Sequence, residues 1–192
     1  MLLKSVNIAR YAFTLLRCKA KYGKRVFIGK TGSIIEIPKL SVKGHGAIHI
    51  SDHCGMEYCE IVAIDGVVTI GDHTFLGAND SIVCRGRVSI GSHCSIAPNI
   101  TIYDHNHNFG ANGIEKGYRI KDVQIGNNVW IGVGAIILAG TDIGDNCVIG
   151  AGTVVHGYIP PNSLVTSTRE LSITRLGERN GKSSDNNPRI QC

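Results

Sequence analysis

Eight histidines, at positions 45, 49, 53, 73, 93, 105, 107 and 156, are the side chains of this 192-residue sequence best suited to chemistry at neutral pH. An imidazole with an ordinary pKa of about 6.5 can accept a proton there. Two of the eight open a stretch rich in turn formers and charge, beginning Tyr103-Asp104-His105-Asn106-His107 and running to Asp122. His105, at its start, has the place and chemistry of a general base toward a hydroxyl. Asp104 and His107 are candidates for contact with the molecule that carries that hydroxyl, and Asp104 can also orient the ring as a triad carboxylate does. His-x-His in extended chain puts both rings on one side, so a pair of metal ligands is a second reading of the same residues. His45, His49, His53, His73 and His93 read as solvated structural residues. The seven cysteines, at 18, 54, 59, 84, 94, 147 and 192, include no Cys-x-x-Cys pair, and their odd number points to free thiols in a reducing compartment. No Ser or Cys stands in a nucleophile motif.

The elements that must position these residues follow from a six-residue beat. Ile125, Ile131, Ile137, Ile143, Ile149 and Val155 recur every six positions, and Gly follows at 126, 132, 144 and 150. The same step carries Ile70, Leu76 and Ile82, then reappears two residues out of phase as Ile90, Ile96 and Ile102. On a helix, positions six apart scatter around the axis. In extended chain, six is a multiple of the pleat, so every such residue points the same way. Glycine beside it suits a corner. Short strands with small corners stack into a parallel β-solenoid that buries one aliphatic ladder per face. The beat lapses between Ile102 and Val123, so residues 103–122 are expected as an external loop.

The repeats IGNNVW, IGVGAI, IGDNCV and IGAGTV resemble those of the hexapeptide-repeat acyltransferases, above all the galactoside/maltose and surface-polysaccharide O-acetyltransferase branch. The resemblance covers residues 27–165 and is strongest over 68–162. It implies a left-handed parallel β-helix, although spacing alone favours the commoner right-handed crossover. It also implies a homotrimer with sites between subunits, acetyl-CoA as co-substrate, and His105 as the base that deprotonates a sugar hydroxyl. Trp130 would border the acetyl-CoA site, with Gly132, Ala151 and Gly152 beside the pantetheine arm. At the family's basic CoA-contacting position this chain has His156. The family's Gly-Val-Pro segment is replaced by Thr166-Ser167-Thr168-Arg169, leaving Arg169 and Arg175 as candidates for the CoA phosphates. Asn79, one coil before His105, is the candidate for acceptor contact. The expected function is O-acetylation of a carbohydrate, favouring a bacterial surface polysaccharide, with no metal required. N-acetylation of a nucleotide-linked amino sugar and a γ-carbonic anhydrase-like metalloenzyme are the alternatives. Against the last, no two histidines lie five apart.

Composition frames the rest. Residues 1–25 carry seven Lys and Arg and no acid, while the remainder is slightly acidic, which argues against a nucleic-acid partner. Leu2, Leu3, Val6, Ala9, Phe13 and Leu16 form an apolar stripe at helical spacing. The segment is too charged to span a bilayer and has no cleavage site of the secretory kind. It is expected to be a basic amphipathic helix that caps the solenoid or rests on a membrane. The solenoid domain is expected over 26–165, a C-terminal extension over 166–176 and a disordered tail over 177–192. Free thiols and acetyl-CoA point to the cytoplasm, with peripheral contact at the inner membrane face as a further expectation.

Overall fold

The computed structural model describes residues 2–29, 31–34 and 37–167. Three parallel sheets of seven, seven and six strands form the three faces of a coil, and consecutive strands visit the faces in turn. The coil is a left-handed β-helix of about seven turns, preceded by a helix. The first face runs from Val26–Ile28 to Tyr158–Ile159, the second from Gly32–Ile34 to Leu164–Val165, and the third from Lys39–Lys43 to Val154–Val155.

The six-residue beat becomes three ladders in register. Ile50, Ile70, Ile90, Ile125, Ile143 and Ile159 stack on the first face. Met56, Leu76, Ile96, Ile131, Ile149 and Val165 stack on the second. Ile61, Ile82, Ile102, Ile137 and Val155 complete the third. Most of these side chains are fully buried, and together they form the core. Each buried aliphatic side chain contributes about 1.5–3 kcal/mol, so the ladders hold the coil together. The two-residue phase slip also has a cause. The strands on either side of this corner, Ser81–Cys84 and Arg87–Ile90, have four residues each where Phe75–Leu76 and Ser95–Ile96 have two, and the longer path from Ile82 to Ile90 leaves the ladders aligned.

Corners need left-handed backbone, which Asn, His and Asp tolerate better than most residues. At the first corner, between the first and second faces, His53, His73, His93, Asn128, Asn146 and Asn162 all have φ between 54° and 61°. Asn128 donates to Asn146, and Asn146 to Asn162, through their side-chain amides at 2.9 and 3.1 Å. The second corner carries Asn79, Asn99, Gly134 and Gly152, and the third carries Gly44, Asp65, Gly140 and Gly157, all at positive φ.

Two expectations change in form. Of residues 103–122, Tyr103 still belongs to the third-face strand, and the excursion that follows is not irregular: His105–Gly110 and Gly113–Ile120 pair as an antiparallel hairpin with a bulge after His107. The helix, Leu2–Tyr22, packs over the first coil; of the expected stripe, the side chains of Leu2, Leu3 and Val6 lie outside the described residues, and Ala9, Phe13 and Leu16 are not the ones that pack. Tyr11, Thr14 and Cys18 are buried and Leu15 and Tyr22 partly so, whereas Phe13 and Leu16 are exposed. Residues 11, 14, 15, 18 and 22 share one helical face. Their polar atoms decide the matter: the Tyr11 hydroxyl donates to the Gly29 carbonyl and that of Tyr22 to the Leu40 carbonyl, satisfying acceptors of the first coil that an aliphatic stripe leaves bare. The C-terminal extension beyond residue 167 and the tail lie outside the described residues.

Candidate active site

The third corner holds the candidate base. Thr101–Tyr103 ends the third-face strand, Asp104 turns inward, and His105 begins the hairpin. Asp104 is fully buried. Its carboxylate accepts the backbone N–H of Arg85 at 2.9 Å and of Gly86 at 2.6 Å, and the Cys84 thiol lies 3.2 Å away. Its Oδ1 also lies 2.9 Å from Nδ1 of His105. A carboxylate so placed accepts from Nδ1–H, which leaves the lone pair on Nε2, the tautomer a general base requires. The His105 side chain is 11% exposed, enough to be reached at its edge.

Of the two expectations for Asp104, acceptor contact and orientation of the His105 ring, its buried oxygens, engaged by its own chain, suit the second. Adjacency in sequence is no obstacle, because the chain changes direction between the two residues.

The hairpin folds Tyr118 back over this corner. The Tyr118 ring meets His105 edge-on at 5.3 Å and His107 at 4.7 Å, and the Arg85 guanidinium lies 3.6 Å from the same ring. The Nε of Arg85 is buried without a hydrogen-bond partner. Sequence reasoning missed Arg85 and Tyr118. Arg85 is the residue twenty before His105 in a coil of twenty, which was available as a signal; Tyr118 depends on the hairpin's register and was not.

The candidates for acetyl-CoA contact gather elsewhere. Trp130 lies on a second-face strand, outward and 56% exposed. Gly132 follows it toward the second corner, where Ala151 and Gly152 stand in the next coil. A Cβ on Gly132 would come within 2.7 Å of the Ala151 backbone nitrogen, so glycine is required for the coils to approach. Around them Val133, Ile136, Val154 and Leu164 are exposed, an apolar band on the outside of the last coils. His156 is exposed at the third corner, apart from Ala151. Asn79 sits at the second corner with φ 61°, its amide 3.4 Å from Asn99, a position that the turn itself explains. Arg169 and Arg175 lie outside the described residues. One chain therefore does not bring His105 and Trp130 together: they occupy different faces. A shallow groove on the first face, lined by Gln124, Asn127, Asp142 and Asp145, lies apart from both.

The described cysteines are free and buried. Burial pushes the Cys59 thiol up to about 12, and burial with the Asp104 charge raises Cys84 further still. These are core residues rather than nucleophiles. Among the described residues, the donors close enough to share a metal ion are His53, Asp72 and His73, not His105 and His107.

Comparison with known proteins agrees with this architecture. Residues 122–157 match the bacterial transferase hexapeptide family model, and residues 67–104 match the hexapeptide repeat of succinyl-transferase. The chain thus carries the hexapeptide repeat of the bacterial transferases, wound as a left-handed β-helix. It is 40% identical over 88 residues to the galactoside O-acetyltransferase of Escherichia coli (strain K12), covering 44% of this chain and 42% of that one. It is 36% identical over 80 residues to the putative lipopolysaccharide biosynthesis O-acetyl transferase WbbJ of the same organism, covering 36% and 41%. The matched stretches span about two fifths of each relative. A variant of AntD, an N-acyltransferase from Bacillus cereus in complex with dTDP-4-amino-4,6-dideoxyglucose and coenzyme A, shares the fold with a TM-score of 0.64 at 20% identity, covering 83% of this chain and 89% of that one.

Proposed function

We propose that the protein is an acetyl-CoA-dependent O-acetyltransferase acting on a carbohydrate hydroxyl, with His105 as general base. The observation that carries this reading is the His105 Nδ1 on the buried Asp104, 2.9 Å apart. Nε2 takes the proton of the acceptor hydroxyl as its oxygen attacks the thioester carbonyl. The carbon–sulfur bond then breaks, and the imidazolium returns the proton to the departing CoA thiolate. No residue is acylated. Tyr118 and His107 line the acceptor side, and the unpartnered Arg85 Nε supplies a buried donor beneath them.

The acetyl-CoA side is assigned to Trp130, Gly132, Ala151 and Gly152 of a second copy. Trp130 and the apolar side chains around it are exposed on one chain, and a homotrimer that covers them would set one copy's Trp130 against another's His105. Nothing lies within 4 Å of an added Cβ at Gly134 or Gly152, so an extended thioester arm has open room along that corner. The transfer needs no metal.

The similarity to a lipopolysaccharide-related relative favours a surface glycan or its lipid-linked precursor as acceptor. Among the described residues no helix is long and apolar enough to cross a membrane. The exposed Phe13 and Leu16, with the seven basic residues of segment 1–25, suit reversible contact with an anionic bilayer at the cytoplasmic face. Phe13→Glu with Leu16→Glu should abolish co-sedimentation with anionic vesicles at low salt, without uncapping the coil as a deletion would. Equal sedimentation of both proteins would sink the membrane assignment. The function itself is tested by release of free CoA from acetyl-CoA with a panel of mono-, oligo- and polysaccharides. Amino sugars in the panel separate O- from N-transfer, and no release above hydrolysis with any acceptor would overturn the reading.

A further inference from the structure

The first corner carries a second meeting of histidine and aspartate. His53 belongs to one coil, and Asp72 and His73 to the next. Nδ1 of His53 lies 3.1 Å from Oδ1 of Asp72, and Nδ1 of His73 lies 3.1 Å from Oδ2 of the same carboxylate. One donor atom from each of the three residues falls within 4.8 Å of the others. The rings of His53 and His73 stack at 4.4 Å, and His93 follows at 4.9 Å in the coil after that.

We propose that His53, Asp72 and His73 bind a divalent transition metal ion of the zinc, nickel and copper group, separately from the transfer site. Two imidazoles and one carboxylate are a donor set these ions accept, whereas calcium and magnesium favour oxygen alone. Bonds of about 2.0–2.2 Å at tetrahedral angles put neighbouring donors roughly 3.3 Å apart. The two nitrogen-to-oxygen separations, 3.1 Å each, already approach that figure.

The backbone holds the three residues for this. The His53 N–H donates to the Thr31 carbonyl and the His73 N–H to that of Asp52, which fixes the rise from one coil to the next. The left-handed φ at both histidines turns their rings to the same edge. Their side chains are about half exposed, leaving a path for the ion and room for a water as further ligand. The ion would replace the Nδ1 protons that otherwise point at Asp72, so binding releases protons and weakens as pH falls. Because its ligands come from two successive coils, it would staple the N-terminal end of the solenoid. This corner joins the first and second faces, whereas His105 stands between the third and the first.

The test uses the full-length protein, cleared of metal by a chelator and titrated with Zn2+ by calorimetry and by 15N NMR of the imidazoles. The wild type should bind one ion more per chain than a His53→Asn, His73→Asn variant, with Nδ1 of His53 and His73 moving. Asparagine serves as the replacement because Asn128, Asn146 and Asn162 hold the same corner position at the same φ. Asp72→Asn should weaken binding by about 100-fold, the upper scale for loss of even an outer partner. Zn2+ should raise the melting temperature of the wild type but not of the double variant. Equal uptake by wild type and double variant, or shifts at His105 and His107 in place of His53 and His73, would overturn the proposal. The Asp72 contacts would then be hydrogen bonds of the bare corner.

Discussion

At the third corner one imidazole nitrogen lies 2.9 Å from an aspartate oxygen, and at the first corner two lie 3.1 Å from the two oxygens of another aspartate. The distances are alike and the surroundings are not. Asp104 is buried, with backbone N–H groups of Arg85 and Gly86 on its carboxylate. Asp72 is 43% exposed. Partial desolvation pulls Asp72 upward, but the His53 hydrogen bond and the neighbouring His73 and His53 charges outweigh it and leave its carboxyl below the ordinary value. Water competes for the donors at Asp72 far more than for those at Asp104. The buried pair therefore fixes one ring in one tautomer, as proton transfer needs. The exposed set stays open to exchange, as an ion site needs.

The contrast is broken most directly at the two sets of histidines. His105→Ala should lower transfer by about 10²–10⁴-fold, the usual scale for a general base. Its melting temperature should hardly move, since the ring lies at the edge of the core. The His53→Asn, His73→Asn variant should transfer acetyl at the wild-type rate. Near-normal turnover in His105→Ala would remove it from the mechanism, and His107→Ala would become the next base to test.

Asp104→Asn should act on both rate and fold. The amide keeps one oxygen, but its NH2 faces N–H donors that need an acceptor, and leaving a buried donor unmade costs about 1–3 kcal/mol. The ring of His105 also loses its fixed tautomer, so transfer should fall, within the range of His105→Ala. Thermal denaturation and CoA release on the same preparation separate the two effects. A slower enzyme of unchanged stability would mean that the Arg85 and Gly86 N–H groups do not depend on this carboxylate.

Much of this was legible in the sequence. The beat of Ile125 to Val155 named the ladders before any coordinate, because pleat and corner repeat with the same period. His105 was legible from its place at the break in that beat. The hairpin was not, since His105–Gly110 and Gly113–Ile120 carry no apolar alternation strong enough to announce paired strands. The helix was seen but its buried face was misread: counting apolar residues favoured Phe13 and Leu16, while the phenols of Tyr11 and Tyr22 had carbonyls to satisfy. Trp130 and His105 were each visible, and one chain leaves them on different faces.

A third aspartate sharpens the comparison and carries the smallest effect. Asp80, at the second corner, is 2% exposed, nearly as buried as Asp104, but has fewer donors on its carboxyl. Its Oδ1 accepts the Ile100 N–H at 2.9 Å, and its Oδ2 is buried without a partner. Burial, with a contribution from the Glu57 charge, pushes its carboxyl up to about 7 against backbone hydrogen bonds that pull it down. The native state thus keeps a proton that the unfolded chain releases near its ordinary value of about 3.9. Between those two values the unfolded state binds fewer protons, so stability falls as pH rises from about 4 to about 7 and levels off above. Asp80→Asn replaces the protonated acid by a neutral group of the same shape and removes that titration. Melting temperatures recorded from about pH 5 to about pH 8 should therefore decline less steeply in the variant than in the wild type. Parallel curves would show that Asp80 is ionised in the fold, and that burial alone, without the donors Asp104 enjoys, does not decide the state of a carboxyl in this coil.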